Sequence, residues 1–511
     1  MSPSSPTLIE ARELTPRCGA AETGGGAAPR WFRWVAGLAF AAYGVFLALT
    51  MSVAAGGSDS SGYLNSARLL AAGQLQTDLR VPPEFGRPTE VNRSHFSPQG
   101  FGQFAANPRL PPSYPTGLPL HLALAGKLFG WEAGPRLVQL VAALGAVALG
   151  YATARALGVS WPLAAAGAAM LAGFPVFLFT SIQTLSDTLA TTWMLAAVWC
   201  ALRGRRALGW AAAGGAALAV AVLVRPTNLL LAPGLAVLLG LDARRLGAFL
   251  AGGMPGAVWF MAYNQALYGG PFHSGYGTIG AAFALHYGWP TALHFAKWLA
   301  LFLPAVVLVL PLPALVARDG PRREAAGLAL LGAGIVGVYL FYDVSHDVWW
   351  CLRFILPAVA ALILLALLGV EVLARRRAPW VRAAAAAGLA AWALAASWHW
   401  TRSLHILYVP GYERVYAEAA EVVRKQFPAN ALVVCSAFSG TIYYYTALPT
   451  LVYDSITPGE FAGYVARARA AGRPVFAAVF ELEEEEALRT RCPGPWRRLA
   501  TVGKIGLWEL P

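Results

Sequence analysis

The sequence predicts an all-α polytopic membrane protein with about eleven transmembrane helices, closed by a small exported α/β domain. Three observations predict it. The 511 residues are 57% hydrophobic and only 13% charged, with a mean hydropathy of +0.53, whereas a soluble domain carries about 25% charged residues. Apolar runs long enough to cross a hydrocarbon core of ~30 Å recur between residues 34 and 400. The basic residues behind the net charge of +13 sit in short clusters between those runs. That is the pattern of cytoplasmic loops and not of a nucleic-acid surface.

Residues 1–33 are polar, rich in Gly, Ala and Pro, and carry Arg12, Arg17 and Arg30. They lack an apolar core and a cleavage motif, and read as a disordered cytoplasmic tail. The spans follow over 34–404, near 34–55, 134–157, 161–181, 186–202, 207–224, 227–241, 246–268, 295–316, 325–343, 351–373 and 382–400. Arg225-Pro226 splits the run 207–241, because Pro ends a helix and Arg avoids the membrane core. One alternate set of loops holds Arg30 and Arg33, Arg155, RGRR (203–206), DARR (242–245), ARDGPRRE (317–324) and ARRRAPWVR (374–382). With eleven spans all of these fall on one side, which places the N-terminus in the cytoplasm and the last ~100 residues outside.

Two exported segments are large. The first, 56–133, holds SDSSGYLNSARLLAAG (58–73) and PPSYPTGLPLHLALAGKLFG (111–130), the latter read as an interfacial helix. The second, 405–511, alternates strand-like runs (431–438, 450–454, 474–480, 504–510) with helical stretches near 412–426, 458–471 and 482–490, as a small α/β domain does. The run ELEEEE (481–486) reads as a solvated helix start.

Ionisable residues are rare in the spans and sit almost all at outer ends: Asp187, Arg225, Lys297, Asp343 and Arg353, with Glu371 at an inner end. All eight histidines lie in outward segments as well. Buried charge in a membrane marks function. A transporter or flippase would gather such groups at the midplane of two related halves, and neither feature is visible here. The pattern points to a site at the outer interface, handling a lipid head group and something arriving from outside.

The order of several motifs resembles the GT-C glycosyltransferases, and within them the bacterial relatives of protein O-mannosyltransferases and lipid A aminoarabinose transferases. The matching pieces are SDSSGYLNSARLLAAGQL (58–75), YPTGLPL (114–120), SIQTLSDTLATTWMLAAV (181–198), LAVAVLVRPTNLLL (218–231), YNQALYGGPFHSGY (263–276) and RFILP (353–357). The resemblance implies a GT-C fold and transfer of a sugar from a polyprenyl-phosphate donor to a hydroxyl at the outer face of a bacterial inner membrane. The partners implied are that donor lipid, a glycan, lipid or protein acceptor and the surrounding membrane lipids. An oligosaccharide polymerase or ligase acting on polyprenyl-linked sugars is the alternative within the same chemistry.

Such a transfer needs a base for the acceptor hydroxyl and cations for the leaving phosphate. The resemblance assigns the base to Asp59; from the residue alone, Ser58-Asp59 also reads as a helix N-cap. The relatives' acidic pair is here Asp59-Ser60. Asp187 supports the site or caps its helix. Arg353 suits a phosphate through its forked guanidinium, and Arg225 does so less distinctly. Arg109, in NPRLPP, stands nearest to a basic residue the relatives use, and Lys297, His95, His273 and His346 are lesser candidates. Tyr63 is a substrate-side aromatic, although Tyr63, Tyr114, Trp349 and Trp350 also suit an interfacial belt. The sequence has no metal-ligand spacing, so no cofactor is assigned and a divalent cation stays open. Cys435 and Cys492 both fall in the exported domain, where a disulfide between them is chemically allowed.

Overall fold

The computed structural model describes residues 27–103, 109–277 and 279–511. Most of the predicted N-terminal tail lies outside them, and its last residues differ from expectation, since helix α1 already begins at Arg30 (Arg30–Thr50), directly after Pro29.

Helices follow in the order α2 (Gly57–Ala71), α3 (Gly117–Ala156), α4 (Trp161–Ala172), α5 (Pro175–Ser181), α6 (Ser186–Gly204), α7 (Leu208–Val224), α8 (Ala232–Leu239), α9 (Ala243–Tyr268), α10 (Gly288–Phe302), α11 (Pro311–Val316), α12 (Arg322–Tyr339), α13 (Leu356–Ala374) and α14 (Pro379–Ser403). Proline stands in the first turn of α4, α5, α8, α11, α13 and α14. There its missing N–H is harmless and its fixed φ starts the helix. Helix α13 is apolar on every side and buried almost throughout, so it is the axis of the bundle.

Every predicted span coincides with helix, but not every one is a straight rod. Among the described residues five helices are long and apolar enough to cross a membrane alone, and a sixth is reached if the pair α4–α5, bent by 61°, is taken as one span. The predicted 161–181 breaks where Phe174 turns extended ahead of Pro175. The predicted 295–316 breaks at Leu303-Pro304, and the predicted 227–241 is a 3₁₀ turn (Pro226–Leu231) followed by α8. The first span also ends earlier than expected, since Met51 is extended. Prolines explain the breaks at Pro175, Pro304 and Pro226, because each removes a donor and excludes helix at the residue before it.

The division of 111–130 from 134–157 holds. Within α3, Gly130 takes φ 82 and ψ 162, and the chain folds back on itself. The two arms then touch so closely that a Cβ on Gly134 would stand 2.5 Å from the Ala125 carbonyl.

After α14 come α15 (Val409–Gln426), β1 (Leu432–Cys435), α16 (Ser439–Tyr445), β2 (Thr450–Val452), α17 (Pro458–Ala470), β3 (Val475–Phe480), β4 (Arg497–Val502) and β5 (Ile505–Leu510). The sheet order is β2-β1-β3-β5-β4, parallel across β2, β1 and β3 and antiparallel across β3, β5 and β4. Strand β4 and helix α16 were not expected. Strand β4 is an edge strand with Arg497 and Arg498 exposed, so it carries no apolar alternation to read. The run 482–490 forms a short π-helix, Glu485–Arg491.

Alternation along β1 sends Leu432 and Val434 to one face, and Val433 and Cys435 to the other. The first face is covered by α17 and by Leu79, Phe85, Phe96 and Leu110 of the early loop. The second is covered by α15 and Phe438. Cys492 belongs to the first face's core, so the sheet lies between it and Cys435. Both thiols are free.

Candidate functional site

Four distant stretches of chain deliver charged side chains to one place, each from the end of a helix. Asp59 is the third residue of α2, and its helix start is confined. Gly57 has φ 52, and a Cβ on Gly56 would meet the Glu413 carboxylate at 2.5 Å. Asp187 is the second residue of α6. Arg225 follows α7 in extended backbone (φ −144, ψ 110), as a residue before proline must be. Arg353 lies in the 3₁₀ segment Trp349–Ile355 that leads into α13.

These residues form two ion pairs. Arg353 Nη1 is 2.7 Å from Asp59 Oδ2, with the two side chains 20% and 27% exposed. Arg225 Nη1 is 2.9 Å from Asp187 Oδ1, where the carboxylate is 1% exposed, without the alignment of a hydrogen bond. The pairs are joined, since Arg225 Nη1 also donates to the Arg353 carbonyl at 3.4 Å, and the Phe354 ring lies 5.4 and 5.3 Å from the two guanidinium carbons. One donor is unmet: Arg353 Nε is buried and has no acceptor among the described residues.

An aromatic wall borders the pairs. The Tyr63 hydroxyl donates to Ser186 Oγ at 2.9 Å, next to Asp187. Tyr114 hydrogen-bonds Asp59 and packs against Tyr63 at 4.7 Å and Tyr276 at 6.0 Å. Two glycines permit this. A Cβ on Gly62 would stand 2.3 Å from the Tyr114 ring, and one on Gly275 2.2 Å from the Ser113 carbonyl. Tyr114 is thus a site residue that its sequence position suggested only as interfacial.

Burial pushes the Asp59 carboxyl up, but the Arg353 guanidinium, the Tyr114 hydroxyl and Arg225 outweigh it and hold Asp59 below the usual carboxylate range. Glu413 behaves oppositely. Burial, resisted by a hydrogen bond from Ser60 and helped by the charge of Asp59, raises it to about 7. Glu413, from α15, hydrogen-bonds Ser60, the residue that stands where the resemblance gives the relatives a second acid. No local sequence signal links it to Asp59.

Arg109 and Lys297 are elsewhere. Arg109 pairs with Asp78 at 2.8 Å on an exposed surface. Lys297 is exposed beside Trp298, near His294. His95 is buried against Tyr464 of α17, His273 contacts its own turn at the Tyr268 carbonyl, and His346 faces Thr291. Among the described residues no group of three His, Cys, Asp or Glu side chains could hold a metal ion, and both site aspartates already face arginines.

The basic clusters gather at the far end of the bundle. Arg205 pairs with Glu324 at 2.5 Å, Arg375 donates to the Asp319 carbonyl, and Arg382 pairs with Glu371 at 3.0 Å. Helix α6 carries Asp187 at one end and Arg203 at the other, about 24 Å apart at helical rise.

No family model matches the chain, and no curated protein matches it by sequence. Solved structures do. ArnT from Cupriavidus metallidurans, bound to undecaprenyl phosphate, superposes with a TM-score of 0.56 at 15% identity, over 93% of this chain and 98% of that one. The oligosaccharyltransferase of Archaeoglobus fulgidus, tethered with an acceptor peptide, gives 0.55 at 12% identity, over 94% and 74%. The mycobacterial arabinofuranosyltransferase AftD gives 0.53 at 16%, over 95% and 40%. The chain therefore has the GT-C fold of integral membrane glycosyltransferases.

Proposed function

We propose that this protein is a membrane glycosyltransferase that moves a sugar from a polyprenyl-phosphate donor to an acceptor hydroxyl at the outer face of a bacterial inner membrane, with inversion at the anomeric carbon. The observation that carries the reading is the 2.7 Å pair of Asp59 and Arg353, a carboxylate and a guanidinium held together at the open side of a buried charge cluster.

The roles follow from the chemistry. Arg353 turns its fork, including the unmet Nε donor, to the donor phosphate, with Arg225 adding positive charge behind it. Asp59 then loses its cation and becomes a stronger base. It takes the proton of the acceptor hydroxyl as that oxygen attacks the anomeric carbon, and the bond from that carbon to the phosphate oxygen breaks. The polyprenyl phosphate leaves as the anion that the arginines neutralise. Asp187 holds Arg225, and Tyr63 and Tyr114 wall the sugar position. In this reading the N-terminus is cytoplasmic and the sheet lies outside, which the basic clusters at the end of the bundle opposite the site support.

The test is transfer of labelled sugar from a polyprenyl-phosphate donor by membranes containing the protein. Loss of transfer in Asp59→Asn with donor-lipid binding kept is the expected result. Undiminished transfer removes Asp59 as the base.

A further inference from the structure

A cavity of about 540 Å³ lies where the far end of α2 meets α16 and the end of α15. That size is in the range of small-molecule sites, roughly 300–1,000 Å³. Its wall includes Arg68, Arg80, Arg424 and the run Tyr443-Tyr444-Tyr445, and it contains no carboxylate. Arg424 is answered by Glu421, at 2.9 and 2.7 Å. Arg68 and Arg80 form no ion pair among the described residues. Arg68 stacks on Tyr444 and Arg80 on Tyr443, each at 3.6 Å. Among the described residues they donate to neutral oxygens, the backbone carbonyls of Tyr444, Tyr443 and Thr446 and the hydroxyls of Tyr444 and Tyr443.

Two uncompensated guanidinium groups on aromatic faces are a recognition surface for an anion carried on an apolar-faced ring. The cavity is also coupled to the first site. Arg68 is nine residues beyond Asp59 on the same helix, about 14 Å at helical rise. The Tyr445 hydroxyl accepts from the Ala55 N–H at 3.2 Å, just ahead of Asp59.

We infer that this cavity is an acceptor subsite for an anionic glycan, one whose sugar bearing a phosphate or a carboxylate is held by Arg68 and Arg80 while a hydroxyl on a sugar further along the same glycan reaches Asp59. The inference rests on the transferase reading for its purpose, but not for its test. A purely structural role, in which the two arginines only pin α16 to α2, predicts lost stability and no affinity for anions.

Binding is measured by calorimetry on the full-length protein in detergent, without donor, using mannose 6-phosphate, glucuronate and neutral mannose as probes. Saturable, salt-sensitive binding of a charged probe is expected, with mannose at least tenfold weaker. The phosphate and carboxylate arms decide between the two anions. Arg68→Ala is expected to lower affinity at least tenfold. Should that variant fail to fold, Arg424→Glu, an exposed change that puts a carboxylate on the cavity wall, is expected to do the same. Equal binding of charged and neutral probes, or unchanged affinity in folded Arg424→Glu, overturns the subsite. Binding intact with no sugar transfer by the same preparation overturns the transferase reading instead.

Discussion

The guanidinium of Arg353 and the carboxylate of Asp59, one leading into the central helix α13 and the other at the head of α2, meet at 2.7 Å. Each side chain restrains the other. Both are partly open, so the pair is placed to exchange partners when an anion arrives.

Removing the Asp59 carboxylate, the base of the proposed reaction, keeps Arg353 in place. Asp59→Asn is expected to lower the rate of transfer by about 10²–10⁴, the usual worth of general-base help. Donor-lipid binding should be retained or strengthened, because Arg353 loses its internal competitor. Single-turnover transfer and lipid binding, measured on one preparation, check this.

The opposite change separates charge from shape. Arg353→Lys keeps a cation but not the fork. It is expected to bind donor lipid more weakly than wild type and to lower transfer by roughly 10²-fold or more, the scale of one lost oxyanion donor. Arg353→Ala should lose donor binding outright. Retained binding in that variant sinks the phosphate role.

The second pair answers to stability. Asp187 is 1% exposed against Arg225 at 14%, so removing one partner strands a buried charge, at about 3–5 kcal/mol. Asp187→Ala is expected to lower the melting temperature markedly. The double change Asp187→Leu with Arg225→Met should recover much of that loss yet stay inactive. Thermal melts beside transfer assays read both outcomes.

Acidity gives a fourth test. Glu413, raised to about 7 in the fold from 4.5, contributes stability that is full below the unfolded value and is lost as pH rises through 7. Asp59, held low, contributes in the other sense, and its share is lost as pH falls through the folded value. The melting temperature is expected to fall between about pH 5 and pH 7.5, and Glu413→Gln should flatten that slope. An identical slope in the variant places the titrating group elsewhere.

Much of the site was legible before the structure. Asp59, Asp187, Arg225, Arg353 and Tyr63 were expected, and they converge. Asp187, Arg225 and Arg353 sit at helix ends, where a charge in an apolar chain stands out, whereas Asp59 was assigned by the family resemblance and Tyr63 was one aromatic among several in the outer segments. Lys297, expected by its charge at a helix end, and Arg109, expected by the resemblance, do not join them, since neither charge nor an inexact motif tells a site from a solvated surface. Tyr114 and Glu413 were not distinguishable, because an aromatic near an interface and an acid in an amphipathic helix are ordinary.

Composition and periodicity determined that this chain is a helical membrane protein with a strand-bearing C-terminal part, because burial of apolar length is a local property of sequence. Proline and glycine marked where helices start and break. What only the tertiary structure decided is partnership: which carboxylate meets which arginine, that Glu413 stands over Asp59, and that the early loop and the C-terminal sheet share one core. Those contacts join residues hundreds of positions apart. They depend on distances of a few ångströms set by the packing of whole helices, which no stretch of sequence carries by itself.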